Sequence, residues 1–100
     1  MADLQTEDLK LHDATLEKLA LDWRAGCAEV LLHAATGVVT LRASGVTKLA
    51  CPRLHPWGPS SSVNEVRGPL ARDGRMVLEL EMQSGDVIVI EAERFGVERG

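Results

Sequence analysis

Large aromatic side chains are scarce in this sequence of 100 residues, in which Phe, Tyr and Trp together make up 3%. Trp23, Trp57 and Phe95 are the complete set, and there is no tyrosine. The core of the fold must therefore be built from Leu, Val, Ile, Ala and Met. Few rings also mean few platforms on which nucleic-acid bases or sugars can stack.

A concentration of positive charge is missing as well. The sequence has 11 Lys and Arg against 15 Asp and Glu, for a net charge of -4, and the basic residues are scattered. Because nucleic-acid binders need a basic surface that displaces counterions from phosphates, we expect no nucleic-acid partner. No run of about 18 apolar residues is present, so we expect no membrane-spanning helix. The acidic start MADLQTEDLKLHD does not resemble a signal peptide, and we predict a cytoplasmic protein.

Cysteine is rare, and Cys27 and Cys51 do not form a Cys-x-x-Cys motif. In a cytoplasmic protein we expect both thiols to stay reduced. Cys51 and His55 alone stand at a spacing typical of a zinc site, and no second pair completes it. We therefore predict neither a bound metal nor a cofactor.

Familiar catalytic motifs for phosphate loops, dinucleotides, zinc proteases and serine hydrolases are absent, so we predict no enzymatic activity. An unfamiliar enzyme that uses His12, Asp13 or His55 stays as an open alternative. The adjacent carboxylate of Asp13 can orient and charge the His12 imidazole. If both residues lie on a strand, however, their side chains point to opposite faces. Asp13 is then expected to accept hydrogen bonds from backbone N–H groups where the strand begins.

The clearest structural pattern is RMVLELEMQSGDVIVIEAE, residues 75–93, which consists of two alternating runs around a turn. A three-residue loop at residues 83–85 pairs Leu80 with Ile88 and puts the apolar residues of both strands on one face. A two-residue loop at residues 84–85 instead places Glu79 opposite Ile90 and mixes charged and apolar side chains on one face. We therefore predict the three-residue loop. The other face is expected to be acidic and solvated, and it carries Glu79, Glu81, Glu91 and Glu93.

Further short strands are predicted along the chain from alternation and β-branched content. They cover residues 27–35, 37–43, 46–51 and 62–67. Residues 14–24 fit a strand or a helix; we predict a strand, with an α+β fold as the alternative. The result is an all-β antiparallel sandwich or partly open barrel of six or seven strands. It spans residues 11–95, between tails at residues 1–10 and 96–100.

The segment CPRLHPWGPSSSVNEVRGP, residues 51–69, holds all four prolines and places Trp57 between Pro56 and Gly58. Two hypotheses remain open: Trp57 closes one end of the core, or a rigid loop presents it outward as a binding group. For the second hypothesis, nearby polar residues and the His-Asp pair complete a candidate binding site. Its residues are Arg53, His55, Trp57, Asn64, Arg67, His12 and Asp13.

Three stretches resemble a known group of sequences: LHDATLEKLALDW (residues 11–23), PWGPSSSVNEVR (residues 56–67) and LELEMQSGDVIVIEA (residues 78–92). They look like small uncharacterised bacterial β-domain proteins that open with a His-Asp-Ala strand, and some polymorphic-toxin immunity proteins look similar. The resemblance implies an antiparallel β fold and a bacterial protein. It supplies no catalytic residues.

For function, we predict a non-enzymatic interaction module that forms a homo-oligomer or neutralises a partner protein in the manner of an immunity protein. The acidic sheet face and the Trp57 loop are the expected contact surfaces. The alternative is a small-molecule-binding protein with its ligand under the loop of residues 53–67.

Overall fold

The computed structural model describes residues 10–53 and 62–100 in full and the backbone of residues 2–3. These ranges form strands and no helix, so they contain no apolar helix long enough to cross a membrane. The strands are β1 (Ala2–Asp3), β2 (Thr15–Asp22), β3 (Cys27–Ala34), β4 (Gly37–Ser44), β5 (Lys48–Ala50), β6 (Val63–Arg72), β7 (Arg75–Met82), β8 (Val87–Ala92) and β9 (Arg94–Arg99).

The strands form two antiparallel sheets whose inner faces pack against each other. The first sheet has five strands in the order β1-β9-β4-β3-β2, and the second has four in the order β5-β8-β7-β6. The prediction of an all-β antiparallel fold is confirmed, and the two sheets are not closed into a barrel. Residues 14–24 contain β2, an edge strand paired with β3, so the alternative with a helix there is wrong.

The β7–β8 hairpin has the predicted register. Leu78 pairs with Ile90 and Leu80 with Ile88, which requires a three-residue loop at residues 83–85. All four side chains point into the core, where each is at most 1% exposed. Burying an aliphatic side chain of this size stabilises a fold by about 1.5–3 kcal/mol. A slip of one strand by one residue turns its own two apolar side chains toward solvent and is therefore strongly disfavoured.

Segments near both ends of the chain belong to the first sheet. The sequence predicts tails at residues 1–10 and 96–100, whereas β9 continues to Arg99 and pairs with β4 on one side and β1 on the other. Phe95 and Val97 pack on the core. These two apolar residues make too short a run for alternation to be recognised. Pairing with strands distant in sequence, which no local pattern reveals, makes this segment a strand.

The two sheets are joined at a corner where β4 leads into β5 and β8 into β9. The pairing register between these strands shifts by one residue between Ser44 and Lys48. Gly45 lies at the shift with a φ of +66°, a conformation that residues with side chains rarely adopt. The Glu93 N–H donates to the carbonyl oxygens of Ser44 and Gly45, at 3.1 and 3.2 Å. An extra residue in one strand bends a pair of strands. Here the bend carries the paired β4–β5 and β8–β9 segments from one sheet into the other.

A second corner joins the start of β2 to the start of β6. Asp13 and Ala14 exchange backbone hydrogen bonds of 2.8 Å with Val63. At its other end β2 lies beside β5, where Leu21 and Leu49 line the same groove. Because β6 and β5 are opposite edges of the four-stranded sheet, β2 runs across the strands of that sheet rather than along them.

The core consists of aliphatic side chains from both inner faces, as the scarcity of aromatic residues predicts. Its buried members in the described ranges are Leu11, Ala14, Ala28, Val30, Leu32, Val39, Leu41, Ala43, Val63, Leu78, Leu80, Met82, Ile88, Ile90, Ala92 and Phe95. Residues from the two sheets contribute to one continuous cluster, so neither sheet buries its apolar face without the other.

Gly45→Ala is expected to destabilise the fold more than its matched control, Gly26→Ala. The two glycines have nearly the same φ, +66° and +67°, so both substitutions carry a backbone strain of about 1–2 kcal/mol. A Cβ on residue 26 meets open space, whereas a Cβ on residue 45 lies 2.9 Å from the Cβ of Glu93. Urea unfolding should therefore show a further loss of about 1–3 kcal/mol for Gly45→Ala. Equal losses for the two variants contradict a crowded corner.

Candidate functional site

His12 and Asp13 lie in a tight turn before β2, not on a strand. A hydrogen bond of 3.0 Å from the Ala14 N–H to the Leu11 carbonyl oxygen closes the turn, and Asp13 has a φ of +66°. The expectation that the two side chains point to opposite faces is therefore wrong: His12 Nε2 lies 3.6 Å from Asp13 Oδ2. The Asp13 carboxylate accepts a hydrogen bond from the Gln83 side-chain amide, where the sequence predicts a backbone donor.

A backbone carbonyl group of β6 fixes the tautomer of the His12 ring. Its Nδ1 lies 2.6 Å from the carbonyl oxygen of Asn64. Because a carbonyl oxygen only accepts hydrogen bonds, Nδ1 carries a hydrogen, and Nε2 is the atom that faces the Asp13 carboxylate and solvent. Both side chains of the pair are largely exposed, at 66% for His12 and 70% for Asp13. The pair is therefore accessible from outside.

From Asn64 the polar contacts continue across the outer face of the four-stranded sheet. The Asn64 amide donates to Glu81 at 2.8 Å, and the Arg67 guanidinium donates to Glu81 at 3.0 Å, Glu79 at 3.2 Å and Glu65 at 3.1 Å. The hydrogen bond from Asn64, followed by that from Arg67, holds the pKa of Glu81 below its usual value. In turn, Glu81 and then Glu79 raise the pKa of Arg67.

These ion pairs change the character of the face that the sequence predicts to be acidic and solvated. Glu79 and Glu81 are only about one-third exposed and are paired with the guanidinium between them. Glu91 is also partly buried and lies 3.8 Å from the Lys48 ammonium group. Glu93 is exposed. The face therefore presents less unpaired negative charge to a basic partner than its glutamate count implies.

The remaining candidate residues lie in or next to the segment that separates the described ranges. His55 and Trp57 lie outside the described residues, so both hypotheses for Trp57 stay predictions. Arg53 is exposed and close to Cys51. Burial raises the pKa of the Cys51 thiol, the positive charge of Arg53 opposes the rise, and the negative charge of Asp86 adds to it. Asp86 directly follows the β7–β8 loop, and Gln83 in this loop contacts the His-Asp turn.

The structure thus brings four of the seven candidate residues, His12, Asp13, Asn64 and Arg67, into one set of polar contacts, which we call the polar network. Most of its hydrogen-bond donors are engaged within the protein, so the network connects the turn, β6 and β7 to one another.

No group of three or more His, Cys, Asp or Glu side chains in the described ranges is arranged to hold a metal ion. His12 Nε2 remains accessible to accept a proton or a ligand hydrogen bond.

A separate apolar surface lies around the turn that follows β2. Trp23 is 88% exposed, and Leu21 is 41% exposed. The strand predicted for residues 14–24 gives no sign that this surface is uncovered. The two residues line a groove of about 240 Å³, which we call the β2–β5 groove, together with Gly26, Val46, Thr47, Lys48 and Leu49.

The position of β2 at a sheet edge explains why apolar groups are exposed there. Leu21 pairs with Ala28 and faces the core side, but in the described part of the chain no strand lies beyond β2 to cover it. The corner at Gly45 carries the chain into β5 on the far side of the groove. A hydrogen bond of 2.9 Å from the Val46 N–H to the Gly26 carbonyl oxygen holds the two sides together. The groove is therefore a gap between two open sheet edges.

The outer face of the five-stranded sheet carries its own ion-pair cluster. Arg42 on β4 donates to Glu98 on β9, at 2.6 and 3.1 Å, and also to Glu29 on β3. The hydrogen bond from Arg42 lowers the pKa of Glu98. Arginine–carboxylate contacts therefore bridge neighbouring strands on both outer faces, in contrast to the apolar groove.

Comparisons with known proteins bear on the fold alone. No protein-family model matches the chain, and no curated protein matches it. Among solved structures, it is similar to an uncharacterized protein from Neisseria gonorrhoeae, with a TM-score of 0.58 and 11% sequence identity over 89% of this chain and 93% of that chain. At this identity the likeness supports the two-sheet architecture and carries no function. The resemblance to bacterial β-domain and immunity proteins stays a prediction.

Glu81→Gln is expected to lower stability near neutral pH and to lose this effect in acid. A carboxyl group whose pKa falls on folding stabilises the native state above its ordinary pKa, and the contribution disappears as pH drops through the folded-state value. Asn64 and Arg67 place Glu81 in this class. The difference in melting temperature between wild type and variant should therefore be largest at about pH 7 and shrink below about pH 4.

Glu65→Gln is the matched control for this experiment, because Glu65 contacts the same guanidinium but is 60% exposed. Solvent screens an exposed pair more strongly, so the control should show a smaller difference. A loss of melting temperature in Glu81→Gln that does not change with pH refutes the assigned role of the carboxylate charge.

Proposed function

We propose that this protein is a non-enzymatic interaction module that binds a protein chain at the β2–β5 groove. The observation that carries the proposal is the 88% exposure of Trp23 beside an apolar groove. Within the described ranges, the other exposed large apolar residues are Leu21 at 41% and Leu70 at 59%. Grouped apolar residues on a protein surface mark interaction sites, and aromatic residues are enriched at such sites.

The surroundings of the groove favour a protein partner over a small molecule. β2 bounds it on one side and β5 on the other, and both are edge strands of their sheets. Edge strands present backbone N–H and C=O groups that are complementary to another polypeptide backbone. Truncation of a Trp side chain that is buried in such a contact typically weakens binding by about 2 kcal/mol or more.

Native mass spectrometry of the tagged protein, recovered gently from its own cells, tests this proposal. We expect wild type to carry the mass of a protein partner that peptide sequencing identifies. Trp23→Ser should reduce the bound fraction about tenfold or more, because it removes the main apolar contact. The indole is almost fully exposed, so the substitution should leave the circular dichroism spectrum and the melting temperature unchanged.

Leu70→Ser is the matched control, because it removes an exposed apolar side chain from β6 rather than from the groove. It should retain the partner. A partner that binds Trp23→Ser as well as it binds wild type rules out the groove as the binding surface. A bound mass in the range of a small metabolite moves support to the second candidate function.

That second candidate is the binding of a small molecule under residues 53–67. It is favoured by the contacts that join His12 and Asp13 to Asn64 and Arg67, at the C-terminal end of this segment, with His12 Nε2 accessible. A ligand of this site should raise the melting temperature of wild type and not that of His12→Ala. Equal stabilisation of both proteins removes His12 from the site.

A further inference from the structure

We infer that the chain that binds at the β2–β5 groove is a second copy of this protein, joined by antiparallel pairing of the two β2 edges. The inference rests on the proposed function, because it names the partner for the same surface. A two-fold axis relates the copies, and the two five-stranded sheets continue into each other across it.

The open part of β2 is residues 18–22. β2 pairs with β3 along its length, and on its other side Thr15 forms a bridge with Ser62. A β-bulge lies between Leu16 and Lys18, so residues 18–22 are regular strand. Among the described strands, none lies next to the outer edge of this segment. The segment contains no proline and no bulge, two of the devices that commonly prevent an edge from pairing, and its charged residues are Lys18 and Asp22.

The side chains of this segment are self-complementary in one register. When Ala20 of one copy lies opposite Ala20 of the other, Lys18 lies opposite Asp22, and the two-fold axis repeats this pair. Lys18 and Asp22 are exposed on the outer face of the sheet. On the inner side of the same ladder, Leu19 meets Leu21 of the second copy. Opposite charges and apolar pairs directly across an antiparallel ladder both stabilise it.

Neighbouring registers do not provide this match. Paired residues must point to the same face, so a two-fold axis passes through a residue pair, and the next registers centre on Leu19 or Leu21. In the first, Lys18 lies opposite Ala20, and the bulge enters the ladder. In the second, Asp22 lies opposite Ala20, and Lys18 loses its acidic partner. The register centred on Ala20 is therefore the one that pairs both charges.

Pairing in this register also covers the exposed apolar groups. Leu21 is 41% exposed because its open side has no neighbour, and Leu19 of the second copy takes that position. Trp23 directly follows the paired segment, so in the dimer it lies at the end of the new ladder, beside β2 of the second copy. Because the two copies are related by a two-fold axis, Leu21 and Trp23 of each copy contact β2 of the other.

Sedimentation equilibrium of the purified chain tests this inference. We expect a monomer–dimer equilibrium without larger species, because one pairing uses the β2 edge of both copies. Lys18→Asp places like charges opposite each other twice per dimer and should raise the dissociation constant about tenfold or more. Asp22→Lys should do the same. In an equal mixture of the two variants, both ion pairs are restored between unlike chains, and the dimer should return.

Two controls accompany the charge variants. Arg99→Glu reverses an exposed charge on β9, three strands away from β2, and should leave the dissociation constant unchanged. The Asp22 carboxylate also accepts a hydrogen bond of 3.0 Å from the Ala25 N–H. Asp22→Asn keeps an acceptor for this turn and should fold normally but dimerise more weakly. Should Asp22→Lys not fold, Lys18→Asp and Asp22→Asn decide the question.

A purified wild-type chain that stays monomeric at all concentrations overturns the inference. A dimer with a dissociation constant that Lys18→Asp does not change overturns it as well. Neither result affects the capture of a different protein from cells through Trp23. The failure of the second copy as partner is therefore distinguishable from the failure of the proposed function.

Discussion

The bend at Gly45 and Glu93 is the constraint on which the rest of this sandwich depends. Without it, β5 continues along the line of β4 and extends the first sheet, and the second sheet loses an edge strand. With it, the same pair of strands supplies neighbours to both sheets and places β5 across from the end of β2. One left-handed backbone position therefore determines both the closure of the core and the position of the apolar groove.

The outer faces of the sheets and the groove have different physical characters. Arg42 and Arg67 each join carboxylates from more than one strand, so their charges are largely satisfied within the protein. Contacts of this exposed type contribute little energy individually, but they occupy the groups that a charged partner needs. In the groove, Leu21 and Trp23 are left exposed by the described part of the chain. Recognition by this protein is therefore expected to rely on apolar contact and backbone pairing more than on net charge.

Sequence patterns predict the local elements of this fold well and its edges poorly. Alternation and loop length are properties of adjacent residues, so the register of Leu80 with Ile88 follows from the sequence. The exposure of Trp23 depends on which strand lies outermost, and the role of β9 depends on pairing with β4; neither is visible locally. The same holds for the candidate site: His12 and Asp13 are recognisable as a pair, but only the fold brings them to Asn64.

Pairing of β4 with β9 has a consequence for how the chain folds. This ladder joins segments that are far apart in sequence, so the chain from β5 to β8 forms one long loop between the two paired strands. Closing this loop lowers the conformational entropy of the chain before the contacts between β4 and β9 stabilise it. The β3–β4 and β7–β8 hairpins form over short loops and at lower cost. The nucleus is therefore expected to require both hairpins together, so that the sheets appear in one cooperative step rather than as separately stable layers.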